Sequence, residues 1–291
     1  MENILELNNV SKKYARSDFA LDNISFSLPA GCIMGLVGEN GAGKTTTIGC
    51  ILNTIFKDSG RIKIFGKELS DDDKEMREKI GVVYDSDNFP GYLSAAQLAD
   101  IMSGIYQQWD STLFQKYLNI FHLIKEQKIK TYSKGMTMKL AMAAALAHHP
   151  QLLILDEATS GLDPVMRDEM LDVFLDFVGD EKHSVLLSSH ITSDLEKVAD
   201  YITFLHNGKM ILTASKDELI YQYAIMRCRE SQFKVIDPED IIAFRRRDYQ
   251  IDVLVSNQKE AGRKYKDVVM DQTSIDEIAL LLAKGRLKWQ D

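Results

Sequence analysis

The octapeptide Gly38-Glu39-Asn40-Gly41-Ala42-Gly43-Lys44-Thr45 constrains this chain more than any other stretch. It satisfies G-x-x-x-x-G-K-[ST] at every fixed position, and its flanks decide what it can belong to. Residues 32–37 before it form a nearly continuous apolar run, the pattern of a strand buried on both faces. Residues 46–52 after it have helix-compatible apolar spacing. Strand, glycine-rich loop and helix in that order make a phosphate cradle. The glycines let the backbone wrap close to a triphosphate and aim its N–H groups inward. The helix start adds its dipole to the same anion site. Lys44 then reaches the β/γ oxygens, the Thr45 hydroxyl ligates Mg²⁺, and Gly38, Asn40, Gly41, Gly43 and Thr46 complete the pocket. A chance match in a chain this size is on the order of one in a hundred before the flanks are counted. Nucleotide binding is the reading.

A second motif supports it. Leu152-Leu153-Ile154-Leu155-Asp156-Glu157 reads as a buried strand that delivers Asp156 to the Mg²⁺ and places Glu157 to orient or deprotonate an attacking water. Alone, a core strand with an acidic end is common in α/β proteins; beside the cradle, the catalytic reading dominates.

The remaining pattern predicts an α/β fold: a P-loop NTPase core with an N-terminal antiparallel β subdomain, a helical insert and a small C-terminal α/β appendage. Residues 4–10 and 24–28 alternate as half-buried strands do. Residues 94–147 turn helical, opening on Ser94 and Gln97 as a capping box. Strand signals return at 152–155, 184–187 and 201–205, with helices at 165–178 and 193–199 between them, the alternation of a mostly parallel sheet. The first domain runs over 1–215. The tail, 216–291, shows a strand at 249–255 and a last helix capped by Ser274 and Glu277 and stopped at Gly285.

Charge and composition narrow the partners. Thirty-five Lys and Arg against 43 Asp and Glu give a net charge of −8, so no nucleic-acid partner is expected. Cys32, Cys50 and Cys228 have no metal-ligand spacing, which argues for a reducing cytoplasm over a disulfide scaffold. The longest apolar run, residues 140–147, is 8 residues against the roughly 20 that span a bilayer. Asn3, Glu6 and Asn8 interrupt any signal-peptide pattern. The chain itself is expected neither to span a membrane nor to be secreted.

With both motifs in place, residues 1–215 resemble the nucleotide-binding ATPase subunits of ABC transporters. Tyr14 stands where that family stacks an aromatic on adenine. Tyr132-Ser133-Lys134-Gly135-Met136 occupies the signature position, Ser160-Gly161-Leu162-Asp163 the D-loop, and Ser189-His190 the switch histidine. Ser133 follows Lys44 by 89 residues, Asp156 follows Ser133 by 23, and His190 follows Asp156 by 34. The resemblance implies a dimer with a second ATPase subunit, two ATP molecules sandwiched between cradles and signatures. Ser133, Lys134 and Gly135 then complete the partner's site, His190 contacts the γ-phosphate beside Glu157, and Asp163 links the two sites. It also implies a separate integral membrane permease and a peripheral position on the inner face of the cell membrane. Tyr-Ser-x-Gly-Met signatures lean toward exporters of the ABC-2 type, including peptide exporters.

Two departures from the family pattern stand out. The usual glutamine after the strand near residues 80–83 aligns with Asp85, expected here to ligate Mg²⁺ and to open a permease-contacting segment through Tyr92. Lys134 replaces a signature glycine, and either adds a point charge to a phosphate across the dimer or extends into solvent. Two other readings compete with the transporter. A permease-free ABC ATPase on ribosomes or DNA is disfavoured by the single P-loop and by the 89 residues, too few for a coiled coil. A non-hydrolysing regulatory subunit is disfavoured by Glu157 and His190. The tail carries no recognised chemistry; it regulates, dimerises or covers the sheet.

Overall fold

A computed structural model of the chain describes residues 2–70, 72–85 and 88–287. The chain opens with β1 (Asn3–Lys13), β2 (Ala20–Pro29), β3 (Ile33–Val37), α1 (Lys44–Ile51), β4 (Ser59–Ile64), α2 (Lys74–Glu78) and β5 (Ile80–Val83). A helical stretch follows, α3 (Ala95–Ile105), α4 (Ser111–Ile120) and α5 (Lys134–Leu146). The chain then alternates through β6 (Leu152–Asp156), α6 (Pro164–Val178), β7 (Ser184–Ser189), α7 (Thr192–Val198), β8 (Tyr201–His206) and β9 (Lys209–Ser215).

These strands form one nine-stranded sheet in the order β4-β1-β2-β9-β8-β3-β7-β6-β5. The β8-β3-β7-β6-β5 side is wholly parallel, and every residue of β3, β6 and β7 is buried. Helices on both faces explain why these three strands read as continuous apolar runs. β1 instead pairs antiparallel with β2 and β4, and its burial alternates from Leu5 to Asn8. The register sets Val37 beside Ser189 and Asp156 beside Ser188, so three strands end together where sheets of this kind bind ligands.

The helical stretch begins as expected. Ser94 and Gln97 exchange capping-box hydrogen bonds at the start of α3. Met138 and Met142 are core residues of α5. Asp73, last of the three consecutive aspartates at 71–73, caps α2 by accepting from the Met76 amide; Asp71 lies outside the described residues.

The tail comprises α8 (Lys216–Tyr221), β10 (Ala224–Cys228), α9 (Glu230–Phe233), β11 (Ala243–Arg246), β12 (Ile251–Val255), α10 (Gln258–Lys264), β13 (Val269–Gln272), α11 (Ile275–Lys284) and β14 (Arg286–Leu287). Its five strands pair antiparallel in the order β13-β10-β12-β11-β14. The strand predicted from residue 249 starts only at Ile251, because Tyr249 stands 94% exposed before it. Ser274 and Glu277 cap α11 as predicted, and it ends at Gly285. A Cβ there would lie 2.4 Å from the Leu281 carbonyl oxygen, so the chain can pass only as glycine. Met226, Cys228 and Val253 build a core within the tail, whereas Ile275, Ile278, Leu281 and Leu282 of α11 join the core containing Leu195, Val198 and Phe204.

Candidate nucleotide site

The cradle forms where β3 runs out. A Cβ on Gly38 would sit 2.6 Å from the Leu205 carbonyl oxygen, so this turn closes against the end of β8 only as glycine. Gly43 adopts φ 110° and precedes α1 with no side-chain cap, which leaves the first amides of that helix to a ligand. Asn40, Gly41, Gly43, Lys44, Thr45 and Thr46 line a cavity of about 400 Å³ together with Phe19 and Glu157.

Lys44 is 5% exposed and held from three sides. Its Nζ donates to the carbonyls of Gly38 at 2.7 Å and Glu39 at 3.3 Å, and lies 3.0 Å from Glu157 Oε1. The Lys44–Glu157 contact falls outside hydrogen-bond geometry, so Oε1 is a buried acceptor with a charge partner and no donor. Such an oxygen is costly to leave unmet and suits a hydrogen bond from a water at this position. Its other oxygen, Oε2, takes a 2.6 Å hydrogen bond from His190 Nδ1. With Nδ1–H committed to the carboxylate, Nε2 is the ring nitrogen that remains, and it donates to a phosphate oxygen only as the imidazolium.

Glu157 reaches this position through strain and support. Its φ of 54° is left-handed, a conformation that costs a non-glycine residue and persists only when surroundings enforce it. Ser188 supplies that enforcement. Its hydroxyl accepts from the Glu157 amide at 3.1 Å and donates to Asp156 Oδ1 at 2.6 Å, tying both acidic residues to β7. Asp156 is 5% exposed at the end of β6. Thr45 and Asp156 are the hard oxygen donors that Mg²⁺ prefers. Among the described residues no group of three or more His, Cys, Asp or Glu could hold a metal unaided.

The signature opens α5. Ser133 caps that helix by accepting from the Met136 amide at 3.2 Å. Gly135 is packed so closely that a Cβ would meet Met166 Sδ at 2.3 Å. Asp163 likewise caps α6, accepting from Val165 and Met166 amides at 3.1 Å.

Lys134 and Asp85 stand side by side. Lys134 Nζ lies 2.5 Å from Asp85 Oδ1, with the side chains 44% and 46% exposed. The lysine therefore meets a carboxylate of its own chain. Asp85 lines a separate cavity of about 390 Å³ with Asn88, Phe89 and Tyr132, and is not among the residues around the cradle. Asp85 is thus ion-paired with Lys134 at the start of the signature helix. Ser86 and Asp87 of the same segment lie outside the described residues.

Tyr14 stands outside the cradle, 37% exposed, with its ring 6.4 Å from that of Phe19. Phe19 is the aromatic on the pocket wall and Ser188 is the support of both acids; sequence reasoning missed them. The signals were slight: an aromatic just before β2, and two serines ahead of His190. Also unforeseen, Asp194 is buried near Arg167 Nε at 3.9 Å, and burial pushes its carboxyl above the usual range. The five other histidines have no place in the cradle; His148, for one, is buried, bonded to the Glu78 carbonyl and stacked on Tyr106.

Comparison with known proteins gives the family. The family described as ABC transporter matches residues 21–160. The chain is 31% identical over 299 residues to the bacitracin transport ATP-binding protein BcrA of Bacillus licheniformis, covering 99% of this chain and 96% of that protein. The chain belongs to the ABC transporter ATP-binding family. This ABC ATPase is also 34% identical over 216 residues to the lantibiotic transport ATP-binding protein SrtF of Streptococcus pyogenes, covering 74% of this chain and 92% of that one. Among solved structures, an ATP-binding subunit of an ABC transporter superposes with a TM-score of 0.67 at 26% identity, over 74% of this chain and 91% of that chain. Among the described residues no helix is long and apolar enough to cross a membrane.

Proposed function

We propose that this ABC ATPase powers a peptide exporter, closing around ATP as a dimer and driving a separate membrane permease from the cytoplasmic face. One observation carries the hydrolytic half: Glu157 is held between Lys44 and His190, with a buried oxygen that lacks a donor. In this reading Glu157 accepts a hydrogen bond from the attacking water and takes its proton, while His190 Nε2 meets the γ-phosphate. Lys44 leaves Glu157 to bind the β/γ oxygens when ATP enters, which relieves the carboxylate for its role as base. Thr45 and Asp156 hold Mg²⁺, which neutralises phosphate charge when bound. Tyr14, with Phe19 beside it, stacks on adenine. Ser133 and Gly135 present the start of α5 to the nucleotide of the partner subunit, and Asp163 relays closure between sites.

The export assignment draws on BcrA, a bacitracin transport ATP-binding protein, and SrtF, a lantibiotic transport ATP-binding protein. Residues 1–215 form the cassette in this reading, with 94–147 as its helical insert and 216–291 as an accessory unit. The segment from Asp85 to Tyr92 contacts the permease; Tyr92 is 72% exposed, as a docking residue needs to be.

Glu157→Gln tests the reading. ATP should convert the variant to a stable dimer with turnover lost, and the chain should co-purify with an integral membrane protein from its own cells. A variant that hydrolyses ATP at the native rate would overturn the catalytic assignment.

A further inference from the structure

The helix that follows the switch histidine is held by the tail. α7 starts two residues after His190 and has no side-chain cap of its own, its N-cap being Ile191. Two of its polar side chains, one turn apart, reach α11 instead. Thr192 Oγ1 donates to Asp276 Oδ1 at 2.9 Å, and Glu196 Oε1 accepts from the Ile275 amide at 2.8 Å. Beneath them Leu195 and Val198 share one core with Ile275, Ile278 and Leu281.

The tail is itself anchored, so it can serve as a reference point. The Ser274–Glu277 capping box sets the first turn of α11. Arg227 of β10 donates from Nη2 to Glu277 Oε1 at 3.2 Å, which ties that turn to the tail's sheet. On its other side α11 faces the site: Gly38, His190, Thr192, Asp276, Ala279 and Ala283 line one cavity of about 190 Å³.

We propose that α11 is a brace for the switch histidine, with Asp276 a positioning residue that acts on His190 through Thr192. The proposal rests on the catalytic assignment of His190 above. The 2.6 Å bond between His190 and Glu157 tolerates little displacement, and only Ile191 separates His190 from the braced residue. The Thr192 contact lies outside the cradle lining, so it bears on the chemical step and leaves phosphate capture to the cradle. The tail is then part of the hydrolytic machinery, beyond covering the sheet.

Steady-state ATPase kinetics on the full-length chain test it. Asp276→Ala and Thr192→Val should each lower kcat roughly three- to tenfold, the equivalent of one hydrogen bond, with KM for ATP within about twofold of native. Asp276→Asn and Thr192→Ser, which keep an acceptor and a hydroxyl, should restore kcat, and the Ala/Val double variant should be no worse than either single. Native kcat in Asp276→Ala and Thr192→Val overturns the brace. So does a loss of kcat that tracks a lowered fraction of folded protein, or one that the conservative variants fail to rescue. His190→Ala separates the two levels. If it turns over ATP at the native rate, the catalytic assignment itself fails; if it is inactive while Asp276→Ala is native, only the brace fails.

Discussion

Lys134 Nζ and Asp85 Oδ1 stand 2.5 Å apart, joining the first residue of the signature helix to the segment that precedes the helical insert. The two positions where this chain departs from its family's pattern are therefore partners. A lysine in the signature and a carboxylate in the coupling segment each look anomalous alone, and together they neutralise one another. Because both side chains are nearly half exposed, the pair is worth at most about 1 kcal/mol of stability. Its meaning lies in linkage between two segments.

That linkage predicts non-additivity. Asp85→Gln and Lys134→Gly should each shift ATP-dependent dimerisation by a few-fold, about 0.5 kcal/mol, and the double variant should lie closer to native than the sum of the singles. Analytical ultracentrifugation across an ATP titration reads the cycle. Additive effects would show that the contact couples nothing.

Glu157 and the incoming phosphates compete for Lys44. Glu157→Gln removes the negative competitor 3.0 Å from Nζ, so ATP should bind the monomer at least as tightly as native. Turnover should fall about 10²-fold or more, the usual size of a lost general base. Fluorescent-nucleotide titration at concentrations below dimerisation gives the affinity; a weakened affinity would mean that Glu157 supports binding and does not oppose it.

Two glycines predict unequal costs. Gly38→Ala drives a Cβ to 2.6 Å from backbone at Leu205, whereas Gly135→Ala meets the flexible Met166 side chain at 2.3 Å. A methionine can swing aside and a strand carbonyl cannot. Gly38→Ala should therefore cost about 1–3 kcal/mol and weaken ATP binding, and Gly135→Ala should cost less stability. Urea midpoints order the pair, and the reverse order would refute the packing argument.

Burial holds the imidazole of His148 below its ordinary value of 6.5. The folded state thus resists protonation while the unfolded chain accepts it. Stability from this residue is fully present above pH 6.5 and is lost as pH falls toward the depressed folded value. Between pH 7.5 and 5.5 the native chain should lose more of its urea midpoint than His148→Gln, which has no proton to take up. Parallel losses in the two proteins would assign the acid sensitivity elsewhere.

Legibility followed distance along the chain. β3, β6 and β7 were readable because burial on both faces forces an apolar run, and α3 and α11 because a capping box spans only four residues. The strand at 249–255 was read too long, since exposed Tyr249 and buried Ile251 carry similar β propensity. In the site, each motif was local, but its partners were not. Ser188 is 32 residues from the Asp156 it supports, and Phe19 joins the cradle from before β2.

The sequence by itself pointed to the chemistry: a triphosphate cradle, a metal-and-base pair and a switch histidine, in an order that identifies the family. Those readings were possible because glycine torsions, a lysine and adjacent acids act within a few residues of backbone. The tertiary structure alone decided which groups meet. It set Asp85 on Lys134, placed Ser188 between two acids, and laid α11 against the helix after His190. Strand order and helix packing bring such residues together, and no local periodicity encodes them.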